Sequence, residues 1–298
     1  MLKSCLTIFL IILRGDTLEV FVTKEDGSRQ LFDKEKVVRT CVRMGANSYV
    51  AQKVAEKIEQ KLYDGIQTRM ILRMIFRFMR KYKPAVKDVF DLKKGLSLMS
   101  PKPEFEHYIQ VLLMHHGFEV KPNRILRGKC VEHEVDAIAK KDGVTFFVEA
   151  KHHLSYHTLT GLDESRIARA VLEDVNEGFT IGRFNLKIDR AMIITNTRYS
   201  EHAMQYGRCK NIFQIGWNSP ENFGLQNMIS EKKLYPLSCL KGLSDEHRLR
   251  LVNAGIVIIG ELLSENSYKL ARRTKLPQDS VEKIIEKARS ISSAVGFY

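Results

Sequence analysis

Cysteine is sparse and unpatterned. Cys5, Cys41, Cys130, Cys209 and Cys239 are scattered over 298 residues, and no C-x-x-C pair occurs. That argues against a disulfide framework and against a cysteine-built zinc site, and it favours a reducing, cytoplasmic setting. Nor is there an apolar run of about 20 residues, the length a spanning helix needs. The apolar stretch at 5–13 (CLTIFLIIL) is too short, and it runs into Arg14-Gly15-Asp16 rather than a small-residue cleavage site. Residues 1–17 therefore read as an extension ahead of the first domain. No G-x-x-x-x-G-K-[ST] loop is present, so the chain is not a P-loop ATPase. Acidic charge is in deficit, with 48 Lys+Arg against 35 Asp+Glu and a formal net charge of +13. The excess favours an anionic partner, nucleic acid ahead of an anionic membrane surface, though charge alone does not choose between them.

What is present is the material of a soluble globular protein. The chain is 44% hydrophobic and 28% charged, and its length suits two or three modest domains. Residues 18–32 alternate apolar and polar around Lys24-Glu25-Asp26-Gly27, a hairpin signal. Asp33 is placed to cap a helix reaching about Met44. A second helix is expected over 48–62, with Val50, Val54, Ile58 and Leu62 on one face. A third covers 67–81, where Arg69, Arg73 and Arg77 form a basic edge on an otherwise apolar helix. Two prolines in 97–104 (SLMSPKPE) mark a domain boundary.

Beyond it, a helix over 104–116 points Phe105, Ile109, Leu112 and Leu113 inward and ends at Gly117. Strands at 131–139 and 144–150 flank a second hairpin turn, Lys140-Lys141-Asp142-Gly143. A helix at 163–177, a strand at 191–195, a helix at 199–206 and a strand at 212–215 complete an α/β alternation. From Leu234 the texture changes to short helices, at 244–254, 259–264, 267–273 and 278–290.

The second hairpin carries the chemistry. Glu149 and Lys151 are two apart on one strand, so they project from one face. They interrupt an apolar strand end, where a charge is costly unless it pairs or binds. Pairing across the turn brings Asp136 near Glu149, and two carboxylates so placed repel unless a cation lies between them. Oxygen ligands with water suit Mg²⁺ or Mn²⁺. A carboxylate-held divalent ion can activate water and assist a leaving oxygen in phosphodiester hydrolysis. Lys151 can position that water and offset developing negative charge. His152, His153, Tyr156 and Arg166 are further polar neighbours in sequence, the histidines reading more readily as structural.

Asp136 followed by Glu149-Ala150-Lys151 resembles the D-(x)n-(D/E)-x-K signature of the PD-(D/E)xK nucleases. Residues 104–215 are similar to the catalytic domain of Mrr-type restriction endonucleases and archaeal Holliday-junction resolvases. Phe105-Glu106 and Leu112-Leu113…Gly117-Phe118 match that family's first helix, and Thr195-Asn196-Thr197 with Ala203 matches its later strand–helix segment. The resemblance implies Glu106 as a fourth acidic member of the site. It also implies Ala150 as a carbonyl ligand beside Asp136 and Glu149. Many Mrr-type members carry Gln where Glu149 stands.

The flanks resemble other modules. Val22-Thr23-Lys24-Glu25-Asp26-Gly27, Phe32, Lys36-Val37 and Leu62-Tyr63-Asp64-Gly65 resemble the ATP-cone domain of ribonucleotide reductases, with Glu25 where Arg is common. That implies an allosteric ATP or dATP site lined by Val22, Lys24 and Lys36. Leu240-Lys241-Gly242-Leu243-Ser244 and Thr274-Lys275-Leu276-Pro277 resemble tandem helix-hairpin-helix modules, which hold DNA phosphates through backbone N–H groups. Lys241, Arg248, Lys269, Arg272, Arg273, Lys275 and Lys283 would supply the charge. Ser244 and Lys275 stand where that family has glycine.

The resulting expectation is a multidomain α/β (α+β) protein. It comprises a mostly helical ATP-cone domain at 18–97, a restriction-endonuclease-like α/β core at 104–230 and an all-α helix-hairpin-helix-like region at 234–298. The expected activity is that of a Mg²⁺- or Mn²⁺-dependent, ATP/dATP-responsive DNA endonuclease in the cytoplasm, with DNA as partner, no membrane partner, and a homo-oligomer left open. Two other readings stay open. One is a nucleotide-sensing DNA-binding or regulatory protein with an inactive nuclease fold, and the other is a structure-selective junction resolvase.

Overall fold

The computed structural model describes residues 20–44, 46–82 and 92–295. The extension expected at 1–17 lies outside the described residues. The chain divides into two compact units, Met1–Lys87 and Asp88–Tyr298.

In the first unit the expected hairpin forms from β1 (Phe21–Thr23) and β2 (Arg29–Leu31), paired antiparallel. Gly27 closes its turn with φ 79°, a conformation that suits glycine. Asp33 caps α1 (Lys34–Arg43) by accepting the Lys36 N–H, and Asn47 caps α2 (Ser48–Glu59) by accepting that of Val50. The short strand β3 (Ile66–Gln67) runs parallel to β1 and leads directly into α3 (Thr68–Tyr82). Two paired residues are too few to show a strand periodicity, so β3 left no readable signal. Ile71, Ile75 and Met79 of α3 are buried among Val54, Ile58 and Cys41, while Arg69, Arg73 and Arg77 line the exposed edge.

The second unit opens with α4 (Leu92–Ser97), a helix without a counterpart in the sequence reading. Leu96, within the stretch assigned to the first domain, contributes to the core of this second unit. A turn at Pro101–Phe105 leads into α5 (Glu106–His115), which ends at Gly117 with φ 81°. Three long strands follow: β4 (Glu119–Arg127), β5 (Glu132–Lys141) and β6 (Val144–Lys151). Asp142 and Gly143 make the β5–β6 turn with φ 51° and 78°, the paired positive φ values that a tight hairpin requires. Next come β7 (Leu159–Thr160), α6 (Leu162–Thr180), β8 (Arg190–Thr195), β9 (Arg198–Tyr199), α7 (Glu201–Cys209) and β10 (Phe213–Ile215).

The main sheet has the order β10-β8-β6-β5-β4. β4, β5 and β6 are antiparallel, and β6, β8 and β10 are parallel. One face of the sheet packs on α5, through Tyr108, Ile109, Leu112 and Leu113. The other packs on α6 and α7, through Leu172, Val175 and Ala203. β7 and β9 pair separately as a parallel two-stranded ribbon.

After α8 (Leu225–Lys232), the C-terminal helices α9 (Asp245–Asn253), α10 (Ile259–Ser264), α11 (Ser267–Thr274) and α12 (Gln278–Val295) build a core of their own around Leu251, Leu262, Leu270, Val281 and Ile285. Val252, Val257 and Ile258 instead join the core on the α5 face of the main sheet, so this region is seated on the sheet domain. Among the described residues no helix is long and apolar enough to cross a membrane.

Candidate active site

The site forms where β5, β6 and the start of α5 come together. The β5–β6 ladder runs from Lys141↔Val144 to Ala137↔Val148, so Asp136 and Glu149 are the next residues on either strand. The Ala150 N–H donates to Asp136 Oδ2 at 2.7 Å, which fixes the Asp136 carboxylate across the hairpin. Gln110 of α5 donates to the Asp136 carbonyl at 2.9 Å and to Asn123 Oδ1 at 3.3 Å. Asn123, with φ 42°, lies between the paired residues Pro122↔Ala137 and Arg124↔Val135, and there a side-chain amide substitutes for a strand partner. Glu106, the first residue of α5, is buried and lies near enough to Asp136 for the two carboxyl groups to repel. Asp136, Glu149 and Glu106 thus come together in one cluster, with Lys151 at its edge.

The electrostatics follow from that convergence. Burial first, and the neighbouring Asp136 charge second, push the Glu149 carboxyl up to about 7. Glu106 is also raised, again by burial and then by Asp136, with Lys102 opposing the shift. Acids that resist ionisation beside one another form a donor set that a cation would stabilise. Among the described residues no three His, Cys, Asp or Glu side chains form a ready-made metal cage. A Mg²⁺ site needs only one or two carboxylates, with water completing the octahedron, and Asp136 and Glu149 meet that requirement. One positive group already lies there. Lys102 Nζ is 3.1 Å from Glu106 Oε1 and 3.8 Å from Asp136 Oδ1.

Two residues of the site went unread in the sequence. Lys102 lies in the proline-flanked break, where nothing local marks it. Glu164, in the first turn of α6, places Oε1 2.9 Å from Lys151 Nζ. Its spacing from the D…E-x-K motif carries no signal.

His152 and His153 are both held by contacts within the protein. His152 Nε2 bonds to the Leu96 carbonyl at 2.9 Å, and its ring packs on Phe105 at 5.1 Å. His153 Nε2 contacts Thr160 Oγ1 at 3.1 Å, while Asn196 clasps the His153 backbone through both its N–H and its carbonyl. Burial lowers the affinity of both rings for a proton. Thr160, Thr195 and Thr197 link their hydroxyls beneath them. Arg166 is paired with Asp163.

In the first unit, Thr23, Lys24, Glu25, Gly27, Gln67, Thr68 and Arg69 line a cleft of about 310 Å³. Lys24 is one of the residues lining this cleft. Val22 is buried in the core behind it, and Lys36 stands at the α1 N-terminus, 3.9 Å from Asp33. Gln67, Thr68 and Arg69 enter because β3 lies beside β1, a pairing the sequence did not reveal. At the C-terminal hairpins, Gly242 has φ 76° and Lys275 adopts φ 56°, so a lysine fills a turn conformation more usual for glycine. Arg248, expected as a DNA-facing charge, is instead buried against Glu104, with Nε 3.1 Å from Oε1. Its place on the inward face of α9 explains the difference.

Three family models match the chain: the ATP cone domain over residues 20–86, a restriction endonuclease domain over 96–215, and the AF1548-like C-terminal domain over 235–292. An uncharacterized protein of Archaeoglobus fulgidus is 35% identical over 181 residues, spanning 60% of this chain and 97% of that protein. The chain belongs to the AF1548-like family. A crystal structure described as a protein of unknown function, AF1548, aligns with a TM-score of 0.56 and 33% sequence identity, covering 65% of this chain and 97% of that one. This AF1548-like protein therefore joins an ATP cone domain to a restriction-endonuclease-like domain, and the C-terminal region expected to be helix-hairpin-helix-like carries the family's own C-terminal domain.

Proposed function

We propose that this protein is a divalent-metal-dependent DNA endonuclease whose activity responds to ATP or dATP bound at its ATP cone domain. The observation that carries the reading is the meeting of Asp136, Glu149 and Glu106 at one end of a restriction-endonuclease-like sheet, with Lys151 held beside them. A basic chain with net charge +13 suits a polyphosphate substrate.

Asp136 and Glu149, with the Ala150 carbonyl, would hold Mg²⁺ or Mn²⁺. When bound, the ion supplies an acidified water and charge neutralisation at the phosphate. The protein's own groups do the rest. The Ala150 amide orients the Asp136 carboxylate. Burial and the neighbouring Asp136 charge make Glu149 resist ionisation, a cost that a cation between the two carboxylates would relieve. Lys151, drawn toward Glu164, presents a fixed positive charge to a phosphate oxygen. Glu106 completes the acidic wall from α5.

The ligand of the first unit is the triphosphate that Lys24 and Arg69 can neutralise in the cleft beside Thr68. Its effect on the nuclease is exerted through assembly or through access to the site. This coupling rests on the two domains sharing one chain.

The test is a Mg²⁺/Mn²⁺ cleavage panel on plasmid, linear, methylated and branched DNA, with and without ATP and dATP. Asp136→Ala and Lys151→Ala should abolish cutting. Variants that cut as well as the parent would sink the mechanism. Cleavage of four-way junctions alone would select the resolvase reading, and metal binding without cleavage of any DNA would select the inactive regulator.

A further inference from the structure

We propose that Lys102 is a further residue of the nuclease site, an internal counter-cation on the Asp136 side of the metal position that a divalent ion displaces. The inference rests on the metal-dependent reading above and deepens it.

Three carboxylates surround one ammonium. Lys102 Nζ lies 3.1 Å from Glu106 Oε1, 3.8 Å from Glu134 Oε1 and 3.8 Å from Asp136 Oδ1. Glu106 and Asp136 are 11% and 9% exposed at the side chain, so their charges are poorly served by water, whereas the Lys102 side chain is 65% exposed. The ammonium therefore reaches in from solvent along a flexible stem.

The backbone that carries it is fixed. Lys102 is extended (φ −122°, ψ 139°) within the Pro101–Phe105 turn. That turn is tied by the Ser100 N–H to Glu104 Oε2 at 3.0 Å and by the Phe105 N–H to the Ser100 carbonyl at 3.0 Å. A tethered backbone with a solvent-exposed tip suits a group that must occupy a site and also vacate it. Only one of its three contacts is within hydrogen-bonding range, so the ammonium neutralises the cluster without satisfying it. A divalent ion binding carboxylate oxygens at about 2.1 Å brings twice the charge to the same oxygens. The two cations repel each other at such separations, and the lysine, free to swing into water, is the one that leaves.

The experiment is Mn²⁺ titration of the full chain by calorimetry, without DNA, on the parent and on Lys102→Met, Lys102→Gln, Lys102→Arg, Lys121→Met and Asp136→Ala. Removing the competing ammonium should tighten Mn²⁺ binding about fivefold in both neutral variants, the size expected for a few partly exposed ion pairs. Lys102→Arg should bind no more tightly than the parent. Lys121→Met, which removes an equal charge from β4, should stay within about twofold. Mn²⁺ binding to the parent that is lost in Asp136→Ala but unchanged or weaker in both folded neutral variants overturns the role of Lys102 alone. Absence of Mn²⁺ binding in the parent and in both neutral variants overturns the metal-dependent reading, and this proposal with it. Two neutral variants of different shape, each checked by thermal melting, guard against a folding defect in one.

Discussion

Glu164 Oε1 stands 2.9 Å from Lys151 Nζ, so the lysine of the E-x-K motif takes its ion-pair partner from a helix thirteen residues on and not from Glu149, its neighbour on the strand. Glu149 feels the Lys151 charge without such a contact. The lysine is thereby turned toward α6.

From this pairing, Glu164→Ala should lower the cleavage rate roughly tenfold, as removal of a group that orients an active-site side chain commonly does. Glu164→Gln should recover part of the loss by hydrogen bonding. The measurement is single-turnover cleavage alongside Mn²⁺ affinity. An unchanged rate in Glu164→Ala would remove Glu164 from the site.

Glu149 sets a stability dependence on pH. Its carboxyl is raised from 4.5 in the open chain to about 7 in the fold, so between those values the folded state binds more protons. The stability it contributes is therefore present below about pH 4.5 and is lost as pH rises to 7. Glu106 acts in the same direction. The metal-free protein should melt at a lower temperature at pH 8 than at pH 5.5, by an amount corresponding to about 1–2 kcal/mol after allowance for solvent. Glu149→Gln should flatten the dependence, and Mn²⁺ should oppose the loss at the alkaline end. Melting curves across pH, with and without Mn²⁺, decide it.

The buried Glu104–Arg248 pair joins the turn before α5 to α9 of the C-terminal region. Glu104 is 1% exposed, and Arg248 also donates to the Leu98 carbonyl at 2.8 Å. Arg248→Met should destabilise the protein by about 3 kcal/mol, because it strands a buried carboxylate. Adding Glu104→Gln should recover much of that. Urea denaturation of the two single variants and the double variant measures the coupling, and additive losses would argue against it.

In the first unit, Lys24→Ala should weaken ATP binding about tenfold, the cost of one charge-assisted contact to a phosphate. Lys36→Ala should cost less, since Lys36 is shared with Asp33. Nucleotide affinity is read directly by calorimetry. Equal losses in the two variants would place the α1 N-terminus fully in the site.

The parts of this architecture that were legible are those with local causes. Asp142-Gly143 dictates its turn, and that turn sets the register that brings Asp136 to Glu149. The cap at Asp33, the stop at Gly117 and the apolar spacing on α3 are read in the same way. The residues that were not legible depend on distance in the chain. Glu164 meets Lys151 only once α6 crosses the sheet. Arg248 looked like a surface charge until α9 turned it onto Glu104, 144 positions earlier. Lys102 sits in a segment whose prolines announce a break and say nothing of where the side chain between them will reach.

The sheet's margins bear on how copies of this chain can meet. β4 forms one outer edge, and it carries Lys121, Pro122, Arg124 and Arg127 along its exposed length, while the opposite edge, β10, is only three residues long. A proline without an N–H and a row of like charges make a poor template for another strand, and three residues offer too few bonds to hold one. The sheet is guarded against lengthening from either side. Strand exchange between copies is thus disfavoured at both margins of the sheet whose hairpin bears Asp136 and Glu149.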